Sequence, residues 1–186
     1  MYMLMIICIT DIVHSKSMKA LLVVDYQNDY VTGPLGSKFA KLIEKNICTR
    51  IEETLASRGD VYFLVDAFDH NYLNTEEGRR NPVKHCIWGT PGAEICGKVA
   101  DYLRQVHVVR KTGPASNEMV SRLKNCSDIE VCGLETNKDV LANAVIARAA
   151  NPDAKVTVRQ NCVASRDSML AEEAVDIMMG LGIEVL

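Results

Sequence analysis

The sequence predicts a three-layer α/β/α sandwich built on a mainly parallel six-stranded sheet, with Rossmann-like topology. Three observations carry that prediction. Short apolar runs alternate with segments whose apolar residues recur every three or four positions. Two of the runs, KALLVVD and VYFLVD, are apolar almost throughout and end in an acid, as strands buried on both faces do. A chain of 186 residues, 48% of them hydrophobic, is one domain with enough apolar surface to cover such a sheet on both sides.

The elements follow in order. Residues 1–17 stand apart, as an apolar decamer followed by DIVHSKS. They lack a basic start and are far shorter than the ~20 apolar residues of a membrane span. An added or mis-started leader ahead of a natural start at Met18 is the preferred reading. A weak signal peptide and an extra strand or subunit-contact segment are the alternatives. The domain proper is expected over residues 18–186.

Residues 19–25 read as the first strand, and residues 26–36, with Asn-Asp, Thr-Gly-Pro and Leu-Gly pairs, as loop. Over residues 37–57, Phe39, Leu42, Ile43, Ile47, Ile51 and Leu55 have amphipathic helical spacing, closed by Gly59. Residues 61–66 are a second strand. The polar stretch 67–91 that follows greatly exceeds the usual loop of ~4–6 residues, and long loops are more often functional than filler. A helix is expected over 92–104, a strand over 106–110, a short helix over 117–125 and a strand over 129–132. A helix over 137–150, strands at 156–159 and 183–186, and a helix over 168–180 complete the alternation.

Composition narrows the function. A formal charge of −3, spread without blocks, argues against nucleic acid or an anionic membrane as partner. The seven cysteines are scattered, odd in number and without CxxC spacing, which suits reduced thiols in the cytoplasm. A small-molecule substrate or ligand is the expected partner, with the chain as a homo-oligomer.

In a parallel sheet, ligands bind beyond the carboxyl ends of the strands. Asp25, Asp66, Lys111 and the 133–139 turn all fall there. Asp25 at the mouth of a buried strand is either a loop cap or, its pKa raised by desolvation, a proton carrier. Lys111 is either a solvated lysine or a partner for Asp25 that stabilises negative charge. Thr136 or Asn137 would cap the helix after the turn, aiming backbone N–H groups at an anion. Asp139 then reads as an ordinary first-turn acid or as a member of the site. Phe68 and Trp88 could line a flat pocket, as could Gln27 beside Asp25.

The segment LLVVDYQNDY (21–30) resembles the opening motif of the isochorismatase-like hydrolases, also called the cysteine hydrolase superfamily, which includes the nicotinamidases. PVKHCIWGTPGAE (82–94) resembles that family's loop motif, Lys111 with Ser116 its lysine segment, and GLETN (133–137) its nucleophile loop. Asn71, Tyr72, Leu73, Glu77 and Gly78 look most like the nicotinamidase-related branch. The resemblance implies an Asp, Lys and Cys triad at Asp25, Lys111 and position 139, with the thiolate attacking a small amide. It also implies a cis peptide at Leu134 and Glu135, ahead of Thr136.

Two departures matter. Asp139 stands where the family has cysteine. A carboxylate that attacked an amide would be expelled more readily than the amine, so ordinary amidase chemistry is not expected. Family isochorismatases cleave a vinyl ether by protonation from the acid equivalent to Asp25 and need no thiol, which leaves acid/base hydrolysis open. A catalytically silent member that binds a small molecule or serves as an oligomeric scaffold, and an Asp139 engineered to trap substrate, are the alternatives. The second departure concerns metal. The branch holds a divalent ion with Asp-x-His and a distant His; here Asp66 and His85 match while Phe68 fills the middle place. Zinc usually needs three protein ligands, so no cofactor is expected, with a divalent metal such as zinc the lesser alternative.

Overall fold

The structure, a computed structural model, describes residues 18–186; the leader at 1–17 lies outside the described residues. Six parallel strands form one sheet: β1 (Lys19–Val24), β2 (Asp60–Asp66), β3 (His107–Lys111), β4 (Asp128–Leu134), β5 (Lys155–Ala164) and β6 (Glu184–Val185). Their order is β3-β2-β1-β4-β5-β6. The chain steps outward from β1 to β3, then returns to place β4 on the other side of β1, so the β1/β4 seam is the switch point.

Alternation along β1 explains the two helical layers. Leu21 and Val23 point into one apolar cluster; Ala20, Leu22 and Val24 point into the other. The first cluster is closed by α3 (Glu44–Ala56) through Ile47 and Ile51. The second is closed by α5 (Glu118–Leu123), α6 (Leu141–Ala150) and α7 (Ser168–Gly180), through Leu123, Ala144, Ala147 and Met178.

Several elements differ from the sequence-based expectation. The loop at 26–36 holds one helical turn, α1 (Asn28–Val31). The helix expected over 37–57 breaks at Ile43 into α2 (Lys38–Leu42) and α3; Ser37 caps α2 by accepting from the Ala40 N–H. Within the long loop, Thr75 caps α4 (Glu76–Arg80) by accepting from the Gly78 N–H at 3.0 Å. The helix expected over 92–104 is instead two 3₁₀ segments, Pro91–Ala93 and Gly97–Tyr102. They are separated by extended backbone at Glu94 and Cys96, and Gly97 has φ +57°. β5 is ten residues long because its register against β4 shifts between Val131 and Gly133 and then resumes.

Gly133 has φ +115°, and a Cβ there would lie 2.0 Å from the carbonyl oxygen of Val24. Only glycine permits that backbone and that approach. β1 and β4 can therefore converge where Asp25 and the following turn emerge.

Candidate active site

Asp25 follows directly on β1 and has φ +48°. Its Oδ1 accepts the backbone N–H of Asp66 at 3.0 Å, so the end of β2 fixes the carboxylate. Gln27 completes that junction: its Oε1 accepts the same N–H at 2.8 Å, and its Nε2 donates to the carbonyls of Asp66 and Ala93. Its amide is thus fully engaged with backbone.

Lys111 ends β3 and reaches the centre of the cluster. Its ammonium lies 2.7 Å from Asp25 Oδ2, 2.6 Å from Asp66 Oδ1 and 3.3 Å from Asp139 Oδ1. All four side chains are at most 3% exposed. Two carboxylate oxygens in this dry cluster, Asp25 Oδ2 and Asp139 Oδ2, accept no hydrogen bond; the ammonium beside Asp25 Oδ2 is close but not aligned to donate.

Asp139 arrives on the turn after β4. The Leu134-Glu135 peptide is cis, at the place expected. Glu135, rather than Thr136 or Asn137, takes the cap position, with extended backbone and no side-chain cap bond. The helix opens as one wide π turn, Thr136–Val140, whose Lys138 and Val140 N–H groups both donate to the Glu135 carbonyl. The Glu135 carboxylate is turned away to Arg166, which binds it through Nε at 2.7 Å, Nη2 at 3.0 Å and its backbone N–H at 3.2 Å. Asn143 on α6 donates to the Asp139 carbonyl at 2.8 Å and to Pro114 at 3.0 Å, joining the turn to the segment after β3.

Three carboxylates around one ammonium have unequal proton affinities. Burial, then repulsion from Asp66, pushes Asp25 well above the usual carboxylate range despite Lys111. Burial also raises Asp139, to about 6, with Lys111 and Lys138 opposing and Asp66 assisting. Burial acts on Asp66 in the same direction. There the Lys111 charge and hydrogen bonds from Lys111 and Tyr30 overcome it and hold Asp66 below its ordinary value. Desolvation would lower Lys111, but the three acids hold it well above its ordinary value. The cluster therefore holds a charged lysine, an Asp66 that ionises readily, an Asp25 that keeps its proton more tightly than a free carboxyl, and an Asp139 that titrates at about 6. Environments that separate the pKa values of two acids in this way assign one to give a proton and the other to take one.

The Asp66 side of the site is an aromatic box. Tyr30 donates to Asp66 Oδ2 at 2.7 Å and lies 3.3 Å from His85 Nε2. The rings of Tyr30, Phe68 and Tyr72 pack edge-on around His85, with centroids 5.1 to 5.4 Å away. His85 Nδ1 is 2.7 Å from the Val83 carbonyl, a contact that only its N–H form satisfies. These residues do not fit a zinc site. His85 and Asp66 are two donors, 3.8 Å apart, and the third place is a hydrocarbon ring. Oxygens of Asp25, Asp66 and Asp139 do lie within 4.8 Å of one another, but the Lys111 ammonium already serves as their cation.

Of the other residues singled out from sequence, Trp88 is 49% exposed and lies under the Arg110 guanidinium, 3.4 Å from its ring centroid. No contact joins it to the acid cluster. Tyr30, Lys138, Asn143 and Arg166 were not foreseen; Tyr30 closes the YQNDY segment, which was the one available signal. Neither cysteine near the site offers a thiolate. Burial, then Asp66 and Asp25, drives the Cys86 thiol far up, and burial does the same to Cys132.

The isochorismatase domain family matches residues 19–186. Among solved structures, a nicotinamidase from Bacillus subtilis is 27% identical, with a TM-score of 0.79 over 90% of this chain and 98% of its own. A pyrazinamidase of Pyrococcus horikoshii in complex with zinc is 23% identical, with a TM-score of 0.77 over 90% and 98%. An N-carbamoylsarcosine amidase from Thermoplasma acidophilum is 21% identical, with a TM-score of 0.74 over 90% and 95%. No curated protein matches. Among the described residues, no helix is long and apolar enough to cross a membrane.

Proposed function

The chain belongs to the isochorismatase family, and on that premise we propose that it hydrolyses a small molecule by acid/base chemistry at Asp25 and Lys111, without a thiol nucleophile. One observation carries the reading: two buried acids, both raised in proton affinity by burial, share one lysine, with an unbonded oxygen on each. In this scheme Asp25 gives its proton to the leaving atom. Ionised Asp139 takes a proton from the attacking water. Lys111 stays charged throughout and stabilises the carboxylate that Asp25 becomes, and proton exchange through solvent resets the pair. Glu135 and Arg166 hold the turn that positions Asp139.

A positioned general acid contributes roughly 10²–10⁴-fold to rate. A panel of small amides, esters and vinyl ethers, assayed for hydrolysis, tests the proposal. Turnover should fall by about that factor in Asp25→Asn and survive in Cys86→Ala. Turnover that survives Asp25→Asn and disappears in Cys86→Ala would overturn it.

The complete burial of the cluster favours a second reading, a binding protein that has given up turnover. It would bind ligand without consuming it, and Asp25→Asn would weaken binding alone.

The proposal places the protein in the cytoplasm, in keeping with six described cysteines that are all free thiols. It also has the chain pair with a second copy. A groove of about 600 Å³ between α2 and α7 is bordered by Phe39 (43% exposed) and Leu42 (72% exposed). Glu172 and Asp176 add charge on the α7 side. An exposed apolar rim of this kind suits a contact between two copies.

A further inference from the structure

We infer that residues 69–84 form a flap beside the acid cluster, latched shut by the ion pair between Glu77 on α4 and Lys138 on the π turn, and that release of this one pair admits small molecules to Asp25 and Asp139. A hydrolase and a binding protein need that access alike.

Some part of the protein must move before the cluster can meet anything. The side chains of Asp25, Asp66, Lys111 and Asp139 are at most 3% exposed. Residues 69–84 are the least anchored of their neighbours, for only Tyr72 and Gly78 among them are buried. Their polar bonds close on themselves. Tyr72 donates its hydroxyl to the Asn81 carbonyl, Arg79 binds Asn74 and Glu76, Arg80 binds Glu76, and Thr75 caps α4. The backbone N–H groups of Tyr72, Asn74, Thr75, Arg79 and Asn81 likewise donate inside the segment. A stretch of chain that satisfies itself and buries little loses little on opening as a unit.

Two ties hold it down. On the Asp66 side the Tyr72 ring packs on Phe68 and His85, with centroids 4.7 and 5.1 Å away. On the Asp139 side the Lys138 ammonium donates to Glu77 Oε1 at 2.9 Å. Among the described residues, this is the one hydrogen bond or ion pair that joins 69–84 to a part of the chain distant in sequence; the bond from His85 to the Val83 carbonyl lies at the segment's own end. Lys138 also feels Asp139, so the latch sits against the residue it encloses.

The ties differ in kind. Tyr72 is wholly buried and its ring contacts need no charge. The side chains of Lys138 and Glu77 are 35% and 22% exposed. An ion pair so close to solvent is weak and is screened by salt, which makes it the tie that thermal motion breaks first.

The test needs no ligand. In Asp139→Cys the new thiol reports access through its rate of alkylation by N-ethylmaleimide, its peptide separated from those of the other cysteines by mass spectrometry. Adding Glu77→Ala should speed that labelling roughly two- to fivefold, the worth of a partly exposed ion pair. Hydrogen exchange in Glu77→Ala alone should quicken by a similar factor over residues 72–81, relative to the parent, and stay unchanged over β1 and β4. Added salt should quicken the same amides in the parent and not in Glu77→Ala. Glu76→Ala, which cuts the pairs to Arg79 and Arg80 inside the flap, should leave the labelling rate of Asp139→Cys as it was. Labelling or exchange unmoved by Glu77→Ala, or labelling moved as far by Glu76→Ala, overturns the inference. Because neither readout involves turnover, a protein that hydrolyses nothing would sink the proposed activity and leave the latch standing. Hydrolysis that depends on Asp25, with access unmoved by Glu77→Ala, would do the reverse.

Discussion

Replacing Asp139 by asparagine should stabilise the fold, and by an amount that depends on pH. In the folded protein Asp139 holds its proton up to about pH 6, against 3.8 for a free side chain, because it is buried. Between those values the folded chain carries a proton that the unfolded chain has lost, so stability falls as pH rises through the window. That stabilising term is complete below 3.8 and gone above about 6. At about 1.4 kcal/mol per pKa unit, the ionised carboxylate costs the native state up to about 3 kcal/mol at pH 8. Asparagine has nearly the same shape and never ionises. The variant and the parent should therefore be nearly equal in stability at pH 4, and the variant should be ahead by up to about 3 kcal/mol at pH 8. For a chain of this length that corresponds to roughly 6–12 °C in melting temperature. Urea unfolding at pH 4, 6 and 8, fitted with a common slope, measures it. A stability gap that stays constant across that range would show that Asp139 does not titrate in it, and the assignment of Asp139 as the proton acceptor would fall with it.

Other outcomes follow from the same geometry. Lys111→Met strips the one ammonium from three buried acids and should cost about 3–5 kcal/mol near neutral pH, with the loss shrinking as acid protonates them; denaturant titration across pH reads it. Gly133→Ala forces a side chain into the Val24 carbonyl at φ +115° and should cost at least about 3 kcal/mol or prevent folding, checked by soluble yield and melting curve. Asp139→Cys sets a thiol beside Lys111 and is expected to create amidase activity absent from the parent, detected as ammonia release from a small amide. Leu42→Asp should lower the solution mass measured by light scattering to that of one chain, by placing a charge in the apolar rim of the groove.

The sheet was legible because its strands are short apolar runs that end in charge, a pattern that survives without knowing any contact. Helix boundaries were less so. The break at Ile43 lies inside an unbroken three-to-four spacing, which the two pieces share across the bend. The 3₁₀ segments after Pro91 carry helical spacing too, yet the extended backbone between them and the positive φ at Gly97 prevent one continuous helix. Arg166 left no signal, since a single arginine after a strand has many partners available.

By itself the sequence determined the family, the parallel sheet, and the arrival of Asp25, Lys111 and Asp139 at strand carboxyl ends, because ordered motifs and strand-end positions are local properties. Only the tertiary structure decided what those residues do to one another. It placed a single ammonium among three carboxylates and packed His85 into an aromatic box. Proton affinities depend on burial and on distances of a few ångströms between residues 28 to 86 positions apart. No pattern along the chain encodes those distances.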